Sequence, residues 1–327
     1  MTRSNRPVVA VDLGGTKYIA AVIGPGGKVL SRVYCPTLSH EGPAKIIERL
    51  VTSVNQAVKK AGLKLRDTGG VGVAVAGIID IKRGLITEAP NLPRWRNILL
   101  RDLLKDEFKI PVFVLNDASA AALGEHRLGA GRGLDNLIYM TVSTGIGGGM
   151  IINGELYNGT DGSAAEVGHM IIQVDGPLCH CGQYGCLEAM ASGTAIARMA
   201  EERLRSGWMS MLSRMVKKGK PNITAEDVAA AAVKGDALAS QVIDDAAAYL
   251  GVGMANLVNL FNPQMIVVGG GVSAMGERLL RPARKSLKLH AFKLPAGTVR
   301  VVRSALGADS GLMGAAIYAR QQAGGKP

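Results

Sequence analysis

The stretch that decides the fold is Pro7-Val8-Val9-Ala10-Val11-Asp12-Leu13-Gly14-Gly15-Thr16-Lys17-Tyr18-Ile19-Ala20-Ala21-Val22-Ile23. Residues 7–13 form an apolar run of strand length, Gly14 and Gly15 supply a turn, and Tyr18 to Ile23 returns as a second strand. The same grammar recurs at mid-chain. Leu137 to Val142 reads as a strand, Ser143 to Gly149 as a glycine-rich turn, and Met150 to Asn153 as a returning strand. Two hairpins of one kind, each opening half of the chain, point to an internal duplication and to two α/β domains.

Working outward, residues 43–61 carry helical apolar spacing and are closed by Gly62. Val71 to Ala76 is a buried strand, Leu99 to Phe108 a helix, and Pro111 to Leu115 a strand that runs into a helix over Ala118 to Leu128. From Gly193 to Phe261 the chain is largely helical, with a break expected at Gly219 to Asn222. Gln264 to Val268 is a strand, Gly269 to Gly271 a turn, and Ser310 to Gln322 a final helix.

The first turn is flanked by strands on both sides. That excludes the P-loop and the dinucleotide fingerprint, which both need a helix after their glycines. It can still hold an anion: Gly14 and Gly15 expose backbone N–H groups, Thr16 adds a hydroxyl and Lys17 a charge, while Asp12 would hold a hydrated Mg²⁺. A plain glycine hairpin is the simpler alternative for this turn taken alone. The second turn, with Thr141, Ser143, Thr144, Gly145, Gly147, Gly148 and Gly149, makes a matching hydroxyl-and-glycine face. Gly269-Gly270-Gly271 would let an adenosine approach the backbone. Together the three turns favour a nucleotide.

Composition bounds the classes. The chain has 327 residues, 47% of them apolar and 20% charged, the balance of an ordinary globular protein with room for two domains. No apolar run approaches a membrane span and no signal-peptide core precedes Asp12, so a cytoplasmic protein with no membrane partner is expected. The net charge of +12 raises nucleic acid or polyphosphate as partners. However, Arg278, Arg281, Arg284, Lys285 and Lys288 follow helical spacing and suit a solvated helix face, and no recognition helix accompanies them; no nucleic-acid partner is expected.

Three of the four cysteines, Cys179, Cys181 and Cys186, crowd into one short segment with His169 upstream. The Cys-x-Cys pair is too tight for ordinary bridges, and four N/S ligands complete a closed tetrahedral site, so a structural Zn²⁺ is expected. His180 could replace His169, although its place between two ligands turns it away. Asn116-Asp117 ends a strand and starts a helix. These residues suit an N-cap, and equally a general base at the C-terminal end of a strand. Glu166 and Glu188 flank the cysteine segment, either as surface acids or as acceptors for a polyol.

These residues together, Asp12-Leu-Gly-Gly-Thr-Lys17, Asn116-Asp117, Glu166-Val-Gly-His169 and Cys179-His-Cys-Gly-Gln-Tyr-Gly-Cys-Leu-Glu188, resemble the ROK family of sugar kinases and sugar-responsive repressors, from about residue 8 to about residue 318. The resemblance implies the two-domain actin-like ATPase fold of hexokinases, of the ribonuclease H-like class, with a cleft between a smaller N-terminal domain (1–119 plus 309–327) and a larger one carrying the zinc loop (120–308). It implies Asp117 as catalytic base, with Gly77, Asn91, Asn116, Asp117, Glu166, His169 and Glu188 around the sugar. Asp12, Gly14, Gly15, Thr16, Lys17, Thr144, Gly145, Gly270 and Gly271 would serve ATP and Mg²⁺.

The resemblance also implies a homodimer or homotetramer. Asn91-Leu-Pro-Arg-Trp95 resembles the glucokinase-type loop, which makes glucose the first expectation and N-acetylmannosamine, N-acetylglucosamine or fructose the alternatives. A polyphosphate donor and a sugar-sensing repressor are further alternatives. The short run before Asp12 leaves no room for a repressor's helix-turn-helix module.

Overall fold

A computed structural model describes residues 6–217 and 222–324. The break expected at Gly219 to Asn222 lies almost wholly outside the described residues. The chain divides into two compact units, Met1–Leu134 with Gly149–Ala165 and Ala305–Pro327, and Asp135–Gly148 with Glu166–Ser304.

In the first unit the chain runs β1 (Val8–Leu13), β2 (Lys17–Ile23), β3 (Val29–Pro36), α1 (Pro43–Lys60), β4 (Val71–Val75), β5 (Ile78–Asp80), β6 (Leu85–Glu88), β7 (Arg96–Ile98), α2 (Leu100–Phe108), β8 (Val112–Asn116) and α3 (Asp117–Leu128). The main sheet has the order β3-β2-β1-β4-β8, antiparallel across β3, β2 and β1, then parallel. Because successive strand residues face opposite ways, β1 serves two cores. Val9, Val11 and Leu13 meet Ile46, Leu50 and Leu104 of α1 and α2, whereas Val8 and Ala10 face the other layer. Each such aliphatic side chain contributes about 1.5–3 kcal/mol on burial. A small sheet, β5-β6-β7, leaves the end of β4.

The rest of the chain contributes β9 (Leu137–Val142), β10 (Ile146–Ile152), β11 (Glu155–Leu156), α4 (Leu187–Ala191), α5 (Gly193–Arg205), α6 (Leu212–Lys217), α7 (Ala225–Val233), α8 (Ala237–Phe261), β12 (Met265–Gly269), α9 (Glu277–His290), α10 (Lys293–Thr298), β13 (Arg300–Arg303) and α11 (Ser310–Gly324). Its sheet has the order β11-β10-β9-β12-β13, with β12 parallel to both neighbours. This repeats the order of the first sheet strand for strand, as the paired hairpins led us to expect. In α9, Leu279, Leu280, Ala283 and Leu287 are buried while Arg278, Arg281, Lys285 and Lys288 are exposed. The basic run is therefore one face of an amphipathic helix.

Two local readings change. Gly147 to Gly149 do not lie in the second turn but within β10. A Cβ on Gly149 would fall 2.6 Å from the Ala118 carbonyl oxygen and 2.7 Å from Ala122 Cβ, so glycine here admits α3 rather than bending the chain. The sequence-based boundary after residue 119 cuts α3, whereas contacts keep α3 whole in the first unit, because it packs along α11 through glycines. A Cβ on Gly124 would lie 2.3 Å from Ser310 O, and one on Gly314 1.6 Å from Ala120 O. α11 also lies on β1 and β4, with Leu312, Ala315, Ala316 and Ala319 filling the second core layer.

Candidate active site

Parallel pairing of β1, β4 and β8 brings their C-terminal ends into line, with Leu13 beside Val75 and Val75 beside Asn116. Chemistry-bearing side chains of open α/β sheets collect at such an edge. Asp12 sits there at the end of β1, and α11 begins against it: a Cβ on Gly311 would be 2.9 Å from Asp12 Oδ2. Burial, then repulsion from Asp117 and Asp309, push the Asp12 carboxyl up to about 7, against an opposing pull from Lys17. Three carboxylates sharing so little positive charge form a set that a divalent cation would relieve. Asp309, just before α11 and ion-paired with Arg32 at 2.9 Å, was not singled out from the sequence. Its position ahead of a helix was the available signal.

The turn after Asp12 closes through Gly14 N–H donating to Lys17 O at 3.1 Å and leaves Thr16 and Lys17 exposed. At the end of β8 the cap belongs to Asn116. Its Oδ1 accepts from Ala118 N at 2.9 Å and Ser119 N at 3.0 Å, and its Nδ2 donates to Gly77 O at 3.1 Å. Asp117 is the first residue of α3, and its Oδ1 accepts from Ala118 N at 2.9 Å. Burial pushes its carboxyl above the usual range, with the Ala118 amide and its own amide pulling the other way. The first unit thus gathers Asp12, Gly14, Gly15, Thr16, Lys17, Gly77, Asn91, Asn116 and Asp117. Gly77 and Asn91 enter through close contacts, since a Cβ on Gly77 would be 2.6 Å from Glu88 O and one on Gly15 2.5 Å from Asn91 O.

In the second unit the β9–β10 turn is tight, with Ser143 N–H donating to Gly145 O at 2.8 Å. The start of α5 braces it: Gly193 N–H donates to Ser143 O at 2.7 Å and Thr194 Oγ1 to Thr144 O at 2.8 Å. Gly270, at φ +81°, bends the chain beside Val142 O, and Gly271 lies near Ser143. Thr144, Gly145, Gly270 and Gly271 therefore share one edge, again at the C-terminal ends of parallel strands. Glu188, in the first turn of α4, accepts from Ile146 N at 2.8 Å through Oε2. A side chain on Gly145 would occupy that oxygen's place, 2.3 Å away.

His169, Cys179, Cys181 and Cys186 place one ligand atom each within 4.8 Å of all the others; His180 is not among them. Cys181 Sγ is 3.6 Å from Cys186 Sγ, and Cys179 Sγ is 3.8 Å from His169 Nδ1. A tetrahedron with metal–sulfur bonds of about 2.3 Å has edges of about 3.8 Å, so the donor set fits zinc. Burial, then the neighbouring thiols, push the Cys186 thiol up to about 12. Gly185, at φ +71°, folds the loop so closely that a Cβ would lie 1.5 Å from Gln173 O. Glu166 immediately precedes the short helical turn Val167–His169, after Ala165 at φ +69°. A left-handed alanine is a strained position held by its surroundings.

Among the described residues no helix is long and apolar enough to cross a membrane. Residues 8–322 match the ROK family. A glucokinase of Halalkalibacterium halodurans is 38% identical over 98% of this chain and 96% of its own. A xylose repressor of Caldicellulosiruptor bescii is 33% identical over 87% of this chain but only 71% of its own. The solved ROK family glucokinase from Streptomyces griseus, in complex with glucose and AMPPNP, superposes with a TM-score of 0.83 at 37% identity, covering 96% of this chain and 99% of that one. With the family match nearly end to end and both hairpin-led sheets in place, the chain belongs to the ROK family and has its two-domain actin-like ATPase fold.

Proposed function

We propose that this protein is an ATP-dependent glucokinase that transfers the γ-phosphoryl group to the 6-hydroxyl of glucose, with Asp117 as the general base. The observation that carries the assignment is the state of Asp117. It stands at the C-terminal end of β8 with Oδ1 committed to the Ala118 amide, which leaves the other oxygen to accept a proton. Burial raises its carboxyl above the usual range, which makes it a stronger base than an exposed aspartate. Phosphoryl transfer asks the protein chiefly to position groups and to meet developing charge. Gly14, Gly15, Thr16 and Lys17 would serve the phosphates from one hairpin, Thr144 and Gly145 from the other, and Gly270 and Gly271 the adenosine. Asp12 would hold the water shell of Mg²⁺, whose charge, when bound, offsets that of the phosphoryl oxygens.

For the sugar, Asn116 has both Oδ1 lone pairs spent and one Nδ2 hydrogen left to donate. Asn91, Gly77, Glu166, His169 and Glu188 complete the set. His169 would use Nδ1 for a structural Zn²⁺ held with Cys179, Cys181 and Cys186, and its other nitrogen for a hydroxyl. A cytoplasmic homodimer or homotetramer completes the proposal.

The test is sugar-phosphate formation over a panel of glucose, fructose, N-acetylmannosamine and N-acetylglucosamine, with ATP and polyphosphate compared as donors. Glucose with ATP is expected to give the highest kcat/KM; a higher value for any other pair overturns the substrate assignment. Asp117→Asn is expected to keep glucose binding while turnover falls by about 10²- to 10⁴-fold. Retention of more than about a tenth of wild-type turnover would refute the role of Asp117.

A further inference from the structure

Gly15 lies on the nucleotide hairpin, yet its nearest constraint comes from the sugar loop. An ideal Cβ there would lie 2.5 Å from the carbonyl oxygen of Asn91 and 3.0 Å from Asn91 Cβ. The backbone of Gly15 is not left-handed, so conformation alone would tolerate alanine. What forbids a side chain is Asn91.

Neither partner in this contact can easily give way. The loop from Ala89 to Trp95 closes on itself: Leu92 N–H donates to Ala89 O at 2.9 Å, Trp95 N–H to Leu92 O at 3.0 Å, and Ala89 N–H to Trp95 O at 3.1 Å. Leu92 and Trp95 are buried beneath it. Arg94, left-handed at φ +69°, reaches out of the loop to donate from Nη2 to His40 O, with its guanidinium against Gly42. The hairpin is pinned from behind by Thr37, which is wholly buried. Thr37 N–H donates to Thr16 O at 2.9 Å and Thr37 Oγ1 to Gly14 O at 2.7 Å. Arg49 locks that pin, donating from Nη2 to Thr37 O and from Nη1 to Glu41 Oε2, each at 2.8 Å. One short segment, residues 37–42, thus braces the hairpin at one end and the sugar loop at the other.

We infer that Gly15 and Thr37 are positioning residues for the sugar site: Gly15 is the spacer that sets where Asn91 stands, and the Thr37–Gly42 segment fixes the separation between nucleotide hairpin and sugar loop. The inference rests on the proposed function, in which Asn91 lines the sugar site. A methyl group at Gly15 must displace the Asn91 carbonyl by about 1 Å to reach ordinary contact, and misplacement on that scale costs up to about 10²-fold in rate.

Paired variants separate the roles. In Gly14→Ala the added methyl meets only Lys17 O, at 3.1 Å, within the hairpin. Steady-state kinetics with glucose and ATP varied independently, with melting curves as a folding control, should split the two. Gly15→Ala is expected to raise the glucose KM by about tenfold or more and by a clearly larger factor than the ATP KM, and Gly14→Ala to raise the ATP KM by the larger factor. Thr37→Val, which removes only the hydroxyl bond to Gly14 O, should raise both KM values, and Thr37→Ser should restore them. An unmoved glucose KM in Gly15→Ala, or a parallel rise of both constants, overturns the spacer role. Should Gly15→Ala not fold, the Thr37 pair decides alone: wild-type KM values in Thr37→Val overturn the brace. A wild-type enzyme that phosphorylates no hexose would instead sink the proposed function.

Discussion

Replacing Gly314 by alanine is the sharpest test of how this fold holds its carboxylates. In α11, an alanine Cβ at this position would lie 1.6 Å from the Ala120 carbonyl oxygen of α3, roughly 2 Å short of ordinary contact. The obstacle is helical backbone, so relief requires the two helices to part rather than a side chain to turn. Opening a packed interface costs about 1–3 kcal/mol and sometimes more, while alanine regains about 1 kcal/mol of helix propensity. With so deep an overlap, a net loss of about 2 kcal/mol is expected, a fall of roughly 4–8 °C in melting temperature. The chemistry should suffer before the fold does. Asp117 opens α3 and Asp12 abuts the start of α11, so parting these helices changes the spacing between the two carboxylates. Turnover at 25 °C is expected to drop by about ten- to a hundredfold in a protein that is still folded. Gly297→Ala is the control, since nothing lies within 4 Å of its added methyl; it should melt at or slightly above wild type. Differential scanning calorimetry and glucose-dependent ADP release read both effects. A Gly314→Ala protein that melts with wild type and keeps its turnover would refute the reasoning.

Other expectations are more local. Burial raises the Asp117 carboxyl, so its ionisation costs stability that grows as pH climbs above the unfolded value near ~3.9. Asp117→Asn should therefore melt higher than wild type at pH 8, with the gap closing toward pH 4, and the acid limb of wild-type kcat/KM should lie above about 4; an equal gap at both pH values would contradict this. Burial works against the Asp236 carboxylate too, but Ala239 N at 2.9 Å, Met211 N at 2.7 Å and Ser210 Oγ at 2.8 Å outweigh it and hold the group low. Its contribution is full above the unfolded value and disappears as pH falls through the folded one, so Asp236→Ala should cost about 2 kcal/mol at pH 7 in urea unfolding and much less at pH 3. Cys181→Ser should lower the zinc content of purified protein and make the loop from His169 to Cys186 protease-sensitive; full zinc occupancy in that variant would remove Cys181 from the ligand set.

How far the sequence could be read depends on what each glycine is for. The hairpins were legible because a short apolar run, a glycine-bearing turn and a return strand are all local signals, and their recurrence predicted the repeated sheet order. The gathering of His169 with Cys179, Cys181 and Cys186 was legible because close spacing of cysteines leaves few other uses. Gly147 to Gly149 misled for the opposite reason. A run of glycines reads as a turn when only backbone freedom is considered, yet Gly149 is there because α3 crosses its strand, and no neighbour in sequence announces α3. The short strands β5, β6 and β7 also escaped, being too brief to carry a period. Gly270 and Gly15 make the contrast plain. The first sits at φ +81°, where almost any side chain is strained, while the second has ordinary backbone and is kept bare by a carbonyl 76 positions away. A glycine required by its own backbone can be inferred from its flanks. A glycine required by a distant loop can be inferred only when the fold is known, and in this protein that second kind joins the β1–β2 hairpin to the loop that carries Asn91.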